Sequence, residues 1–304
     1  MKISGRLLNT SRPLQTINKK DSLLSVVARL GKVRISLPVA FTTFTGYILS
    51  HGSPDPGIVL PVLGIFLLAC GASALNQLQE MDTDLLMKRT RNRPLPAGKI
   101  SRTGAWWVTL LFFISGTVTL LLASGWITTA IGLSTIAAYN LIYTPLKRVT
   151  AFASVPGSLV GALPPLAGWV AGGGALSDPR ALMLGFFFFI GQIPHFWLLV
   201  LKLGEQYEAA SLPSITRLLS EEQIKRMTFV WILAMGVTAM AIPAFHITGQ
   251  QWTGFLVIIL SIALILSFVR LLNNRSNFSV GRSFMYINLY YLAIMLVMIM
   301  DRLT

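Results

Sequence analysis

GIVLPVLGIFLLACGASALNQLQEMDTDLLMKRTRNRPLP, residues 57–96, changes character halfway along its length. Its first 22 residues, 57–78, hold no charge at all, and a helix of about 20 apolar residues is what crosses roughly 30 Å of hydrocarbon. The period-2 alternation of a barrel strand is missing. Directly after the apolar run come three acids, Glu80, Asp82 and Asp84, followed by four cations in six residues, Lys88 to Arg93. A membrane helix therefore emerges from the bilayer straight into a dense charge cluster.

The rest of the chain fits that reading. It has 304 residues, 54% hydrophobic and only 12% charged, with a mean hydropathy of +0.67. Too few polar side chains exist to coat a water-soluble body of this size. Nine spans are expected, at approximately 35–51, 57–78, 104–125, 126–144, 153–173, 181–201, 227–245, 252–272 and 284–300. The fold class follows as an all-α polytopic membrane protein, about nine transmembrane helices in one bundle around a central cavity. The third and fourth spans meet at Gly125 with almost no loop. Residues 1–34 read as a basic cytoplasmic tail, without the continuous apolar core of a signal peptide, and 35–304 as a single transmembrane domain. The lone cysteine, Cys70, falls inside the second span, which excludes an intrachain disulfide and a cysteine metal site.

A net charge of +14 in a soluble protein would suggest nucleic acid. Here, 23 of the 25 Lys and Arg residues fall on alternate connections and only Arg180 and Arg302 on the others. That is the positive-inside pattern, with the N-terminus in the cytoplasm. Topology and anionic membrane lipid account for the charge, and no nucleic acid partner is expected.

Acid placement is the part that topology leaves unexplained. Eight of the eleven Asp and Glu residues fall on the expected cytoplasmic side. If the second helix continues beyond the membrane, Asn76, Glu80 and Asp84 recur every four residues and share a face, while Asp82 points elsewhere. One amide and two carboxylates suit Mg²⁺, a hard cation that takes oxygen ligands and shares its shell with substrate phosphates. The adjoining cations suit anionic oxygens. Together they read as a magnesium diphosphate site, against the plain alternative of a wet helix end. A second, weaker cluster follows the sixth span, where Glu205 and Glu208 are three apart. Two such clusters on one side of a bundle could hold two metal ions on one diphosphate.

His195 lies inside the sixth span directly after Pro194, where an ionisable residue is costly and a candidate for function, or else packs on backbone freed by the proline. His51 and His246 fall at the outer interface. Trp106, Trp107, Trp126 and Trp252 sit near span ends, as an aromatic belt requires.

Four segments carry a resemblance. Asp82 to Pro96, Tyr143 to Thr150, Gly161 to Trp169 and Gln192 to Trp197, in that order, resemble signatures of the UbiA-type membrane prenyltransferases, the last pointing to the branch that farnesylates heme. The resemblance implies farnesyl diphosphate held by Mg²⁺, heme B as acceptor, and an apolar cavity that shields an allylic cation from water. By position it implies Asn76, Glu80 and Asp84 on one metal ion, with Glu205 and Glu208 as further metal ligands. Lys88, Arg91, Lys147 and Arg148 would neutralise the diphosphate, and His195, Glu205 and Tyr207 would contact substrate. A bacterial inner membrane and a partner in heme A synthesis or oxidase assembly are implied as well. The chain departs from the family pattern at Gln77, Glu80, Ala153 and Gln206. Gln206 replaces an aspartate, and Glu205 next to it is rotated by about 100° on a helix. A quinone precursor or other aromatic or tetrapyrrole acceptor is the competing enzymatic reading. A transporter or non-catalytic assembly partner is the reading from another class, although the repeated broken helices of a transporter are not evident.

Overall fold

The computed structural model describes residues 22–272 and 279–304. Most of the expected tail, with Asp21, and the loop residue Arg275 lie outside the described residues. Among those described, every regular element is helical.

Helix α1 (Leu23–Leu30) starts at Ser22, whose hydroxyl accepts the Ser25 N–H at 3.3 Å, a serine N-cap. It is not a free tail. Val26 and Leu30 are buried, the latter in a cluster with Ala74, Leu78, Leu95 and Ala105, so this part of the expected 1–34 segment packs on the bundle. Next come α2 (Val33–His51), α3 (Val59–Gln79) and the short α4 (Met81–Leu86). Between α3 and α4 the chain breaks at Glu80 (φ −111°, ψ 11°), yet the Asp84 N–H still donates to the Glu80 carbonyl, so helical phase is roughly kept.

Helix α5 (Arg102–Ile136) begins at Ser101, which caps the Gly104 N–H at 3.0 Å. The helical stretch from 102 to 146 is 45 residues long. At about 1.5 Å per residue that is twice the thickness of a bilayer core. Gly125 breaks it with φ 74°, a left-handed conformation that favours glycine, at the point where the sequence places two adjoining spans. After a π-helical segment (Ala137–Tyr143) come α6 (Thr144–Leu146), α7 (Ser154–Gly157), α8 (Leu159–Ala171), α9 (Pro179–Ala209), α10 (Glu221–Met240), α11 (Gln251–Phe268) and α12 (Val280–Leu303). Among the described residues six stretches are long and apolar enough to cross a membrane, and the protein is a multi-pass membrane protein. The count of nine is not reproduced on that criterion: the third and fourth spans form one stretch bent at Gly125, and α2 and the 13-residue α8 lie outside the six.

Small residues set the helix crossings, as they must where lipid is as apolar as the packing surface. A Cβ on Gly46 of α2 would collide with the Pro165 carbonyl of α8, and one on Gly168 with the Thr43 carbonyl, so two backbones touch. Gly64 of α3 and Gly116 of α5 likewise each face the other's carbonyl, within 3.3 Å of an added Cβ. Trp169 is fully buried beside the first crossing. The largest core runs through α9, α10, α11 and α12. The outward face of α5, from Trp106 to Leu122, is exposed and apolar, as a lipid-facing helix should be.

Candidate active site

The charged end of the bundle is assembled from five places in the chain: the head of α2, the α3–α4 break, the loop after α4, the turn at α6 and the last turns of α9. Asn76, Glu80 and Asp84 share one inward face, at 2%, 3% and 0% exposure, while Asp82 is exposed on the other side. Buried carboxylates persist only when compensated. Lys147, at the end of α6, ion-pairs with Glu80. Arg93 Nη1 lies 2.6 Å from Asp84 Oδ2. Lys32 Nζ donates to Asn76 Oδ1 at 3.1 Å, and Asn76 Nδ2 donates to Thr144 Oγ1 at 3.2 Å.

Electrostatics follow from this crowding. Burial raises the Asp84 carboxyl above its usual pKa, and Arg93 opposes the shift without cancelling it. Burial, and next the Arg93 charge, bring the Lys32 ammonium down to about 7.

The π-helical segment explains how Lys147 arrives. Such wide turns recur at functional sites because they re-aim side chains within a helix. Here Asn140 Nδ2 donates to the Ala72 carbonyl at 3.1 Å and to Gln79 Oε1 at 3.0 Å, while Gln79 Nε2 donates back to the Asn140 carbonyl at 2.9 Å. These bonds clamp the segment to the end of α3. Tyr139, Tyr143 and Phe196 then stack in a column, with ring centroids 5.8 and 5.2 Å apart. Beside it a narrow cleft of 10 Å³ is lined by residues that include Tyr143, Lys147, Ala153 and Tyr207.

Several expected residues lie elsewhere. Lys88 and Arg91 are exposed, and Arg93 is the member of that run turned to Asp84. Arg148 is exposed, its guanidinium donating to the Gln79 carbonyl at 2.5 Å. Glu205 is exposed. Glu208 accepts from Thr216 Oγ1 at 2.8 Å and pairs with Arg217 at 3.7 Å, so neither acid belongs to the buried cluster. Helix phase is the reason, because Gln206 takes the position toward the first loop, accepting the Arg89 N–H at 3.1 Å. Tyr207 is buried against Met87, and His195 packs 4.6 Å from the Phe284 ring. Gln77 turns away, its amide donating to the Arg29 and Leu30 carbonyls.

Lys32, Arg93, Asn140 and Thr144 are the site residues that sequence reasoning passed over. Arg93 stood in the basic run, but no spacing rule picks one cation from four across a loop. Lys32 fell in a presumed tail.

Among the described residues no three His, Cys, Asp or Glu side chains form a complete metal cage. The donor set nevertheless fits a hard divalent cation. Asp84 Oδ1 is buried without a hydrogen-bond partner, while protein cations hold Asp84 Oδ2, Asn76 Oδ1 and Glu80 Oε1. A buried carboxylate oxygen with no protein hydrogen-bond partner, next to an amide oxygen, is a donor set that suits magnesium together with substrate oxygens.

Comparison with known proteins shows the family and the fold. The profile of the UbiA prenyltransferase family matches residues 39–290. A protoheme IX farnesyltransferase of Nitratidesulfovibrio vulgaris (strain Hildenborough) is 36% identical over 278 residues, 91% of this chain and 95% of that one. The mitochondrial protoheme IX farnesyltransferase of Homo sapiens is 36% identical over 234 residues, 76% of this chain and 52% of that one. Among solved structures, a UbiA homolog from Archaeoglobus fulgidus bound to GPP and Mg²⁺ superposes with a TM-score of 0.70 at 16% identity, over 92% of this chain and 100% of that chain. A digeranylgeranylglyceryl phosphate synthase superposes at 0.73 with 16% identity, over 92% of this chain and 98% of that one.

Proposed function

The chain belongs to the UbiA prenyltransferase family, and we propose that it transfers the farnesyl group of farnesyl diphosphate to a vinyl group of heme B, giving heme O. The observation that carries this reading is the buried face of Asn76, Glu80 and Asp84 ringed by Lys32, Arg93 and Lys147. The acceptor is taken from the relatives named protoheme IX farnesyltransferase, with which the chain shares nearly its whole length.

Asn76, Glu80 and Asp84 would hold Mg²⁺, which supplies positive charge to the departing diphosphate oxygens. Lys147 and Arg93 add fixed positive charge to the same oxygens, so leaving-group departure is stabilised in advance rather than by solvent. The bond from C1 of the farnesyl chain to oxygen breaks, leaving an allylic cation. A heme vinyl carbon attacks it, and water adds to the resulting cation with loss of a proton, giving the hydroxyethylfarnesyl group. Tyr139, Tyr143 and Phe196 wall this end with aromatic rings and limit the water that would quench the cation early. The placement supports one metal ion at the α3–α4 cluster. The proposal puts the site on the cytoplasmic face of a bacterial inner membrane and includes a heme A-forming or oxidase-assembly partner as recipient of the product.

The test is expression of the chain with a heme source and farnesyl diphosphate, followed by pigment extraction. A heme with the added mass and hydrophobicity of hydroxyethylfarnesyl appears in wild type and is lost in Asp84→Ala. Prenylation of a quinone precursor with every heme left unmodified would overturn the acceptor assignment.

A further inference from the structure

Farnesylation of heme ends with water on a cation, in a bundle whose aromatic walls keep water out. That last step needs a water held at one place and a group that takes its proton. The charged cluster supplies neither. Glu80 and Asp84 are tied to Lys147 and Arg93, and the neutral hydroxyls of Tyr139 and Tyr143 are poor proton acceptors.

The membrane stretch of α9 offers one candidate. Between Arg180 and Lys202 its side chains are apolar apart from Gln192, His195 and Trp197. An indole only donates a hydrogen bond and an amide is not basic, so the imidazole is the one group of the three that can take a proton. His195 touches aromatic rings, Phe284 at 4.6 Å and Phe196 at 6.2 Å between centroids. Neither it nor Gln192 has a hydrogen-bond partner among the described residues, so the imidazole does not bond to the backbone that Pro194 frees. A polar side chain at this depth is costly without a partner, and a water or substrate that fills its hydrogen bonds removes the cost.

Helix phase says which way this part of α9 faces. Gln192, His195, Leu199 and Gln206 follow one another at spacings of three, four and seven and share one strip of the helix. At its cytoplasmic end the strip meets the first loop, where Leu199 packs on the Met87 cluster and Gln206 accepts the Arg89 N–H. At its deeper end Gln192 lies against α8, its Oε1 2.9 Å from where a Cβ on Gly161 would stand, and His195 lies against Phe284 of α12. The adjacent Phe196 stacks on Tyr143, which precedes Lys147 by roughly one helical turn. His195 therefore stands on the membrane side of the Lys147–Glu80 pair, next to the aromatic column that shields the allylic cation.

We infer that His195 holds the water of the hydration step and takes its proton, with Gln192 as the second hydrogen-bonding side chain for that water. Attack of the terminal vinyl carbon on C1 of the farnesyl cation forms the carbon–carbon bond and leaves the positive charge on the inner vinyl carbon, next to the porphyrin. The water oxygen bonds to that carbon, its proton passes to the imidazole nitrogen, and the imidazolium returns it to solvent as product leaves. Without a held water and a base, the same cation loses a proton from the neighbouring CH₂ and gives an alkene, lighter than the hydroxyethylfarnesyl product by one water.

The inference rests on the heme-farnesylation reading above, and the experiment separates the two. Full-length protein in detergent is given heme, farnesyl diphosphate and Mg²⁺, and the farnesylated hemes are separated and identified by mass spectrometry. In His195→Ala the ratio of hydroxylated product to alkene should fall at least tenfold, and added imidazole should bring it back to within threefold of wild type. His195→Gln, which can hold a water but not take its proton, should lower the ratio at least threefold. A wild-type ratio in His195→Ala overturns the inference, as does a lowered ratio that imidazole leaves unchanged. A folded His195→Ala protein that binds magnesium pyrophosphate as wild type does and makes neither product also overturns it, since His195 would then act before hydration. A shifted heme absorption band with an unchanged ratio overturns it in favour of an iron ligand. Where His195→Ala cannot be purified folded, His195→Gln decides, and a wild-type ratio there overturns the inference. Wild type that farnesylates only a quinone precursor removes the acceptor reading and the inference with it, whereas wild type that makes heme O beside variants of unchanged ratio removes the inference alone.

Discussion

The two acid clusters look alike on paper and differ completely in their surroundings. Glu80 and Asp84 are buried, and each is met by a cation from a different part of the chain. Glu205 faces solvent, and Glu208 is occupied by Thr216 and Arg217 of its own following turn. A carboxylate that solvent already stabilises gains little from a neighbouring charge, whereas a buried one depends on it. The difference teaches that paired acids at helical spacing mark a site only when the fold removes water from them.

Four measurements can break or sharpen that contrast. The largest effect is expected for Asp84→Asn, which keeps shape and removes charge: heme farnesylation should fall about a thousandfold, ~4 kcal/mol of transition-state stabilisation. Residual activity above a tenth of wild type would remove Asp84 from the machinery. Lys147→Met should lower kcat/KM about a hundredfold, since it deletes a charge on the diphosphate and leaves Glu80 buried without its partner. Thermal unfolding in detergent, run alongside, separates lost catalysis from lost fold.

Gln206→Asp is expected to act more mildly and in the opposite direction. It adds a carboxylate on the face of α9 turned to the first loop, so the Mg²⁺ concentration for half-maximal activity should fall a few-fold. No change would show that α9 contributes nothing to metal binding even when given a ligand. The smallest effect is expected for Glu205→Ala and Glu208→Ala, each within about twofold of wild-type turnover. A hundredfold loss in either would restore the second cluster as a metal site.

The site was legible in unequal parts. Asn76, Glu80 and Asp84 could be placed on one face from spacing alone, because i, i+4 geometry is local and survives the break at Glu80. Lys147 entered through the family resemblance. Lys88 and Arg91 were expected where Arg93 stands, because the residues between α4 and α5 form turns in which no period relates sequence position to direction.

By itself, the sequence determined an all-helical multi-pass membrane protein, the turn at Gly125, and the face that carries the acids. Each of these follows from composition or from periodicity along a single segment, and bilayer thickness converts them directly into structure. Only the tertiary structure decided which cations meet those acids. Lys32 lies 44 residues before Asn76 and Lys147 lies 67 after Glu80. Their meeting depends on helix crossings set by Gly46 and Gly168, on a π-helical turn clamped by Asn140, and on an N-terminal helix held down by Gln77. Local pattern carries no information on contacts of that range, since they exist only once the helices have packed.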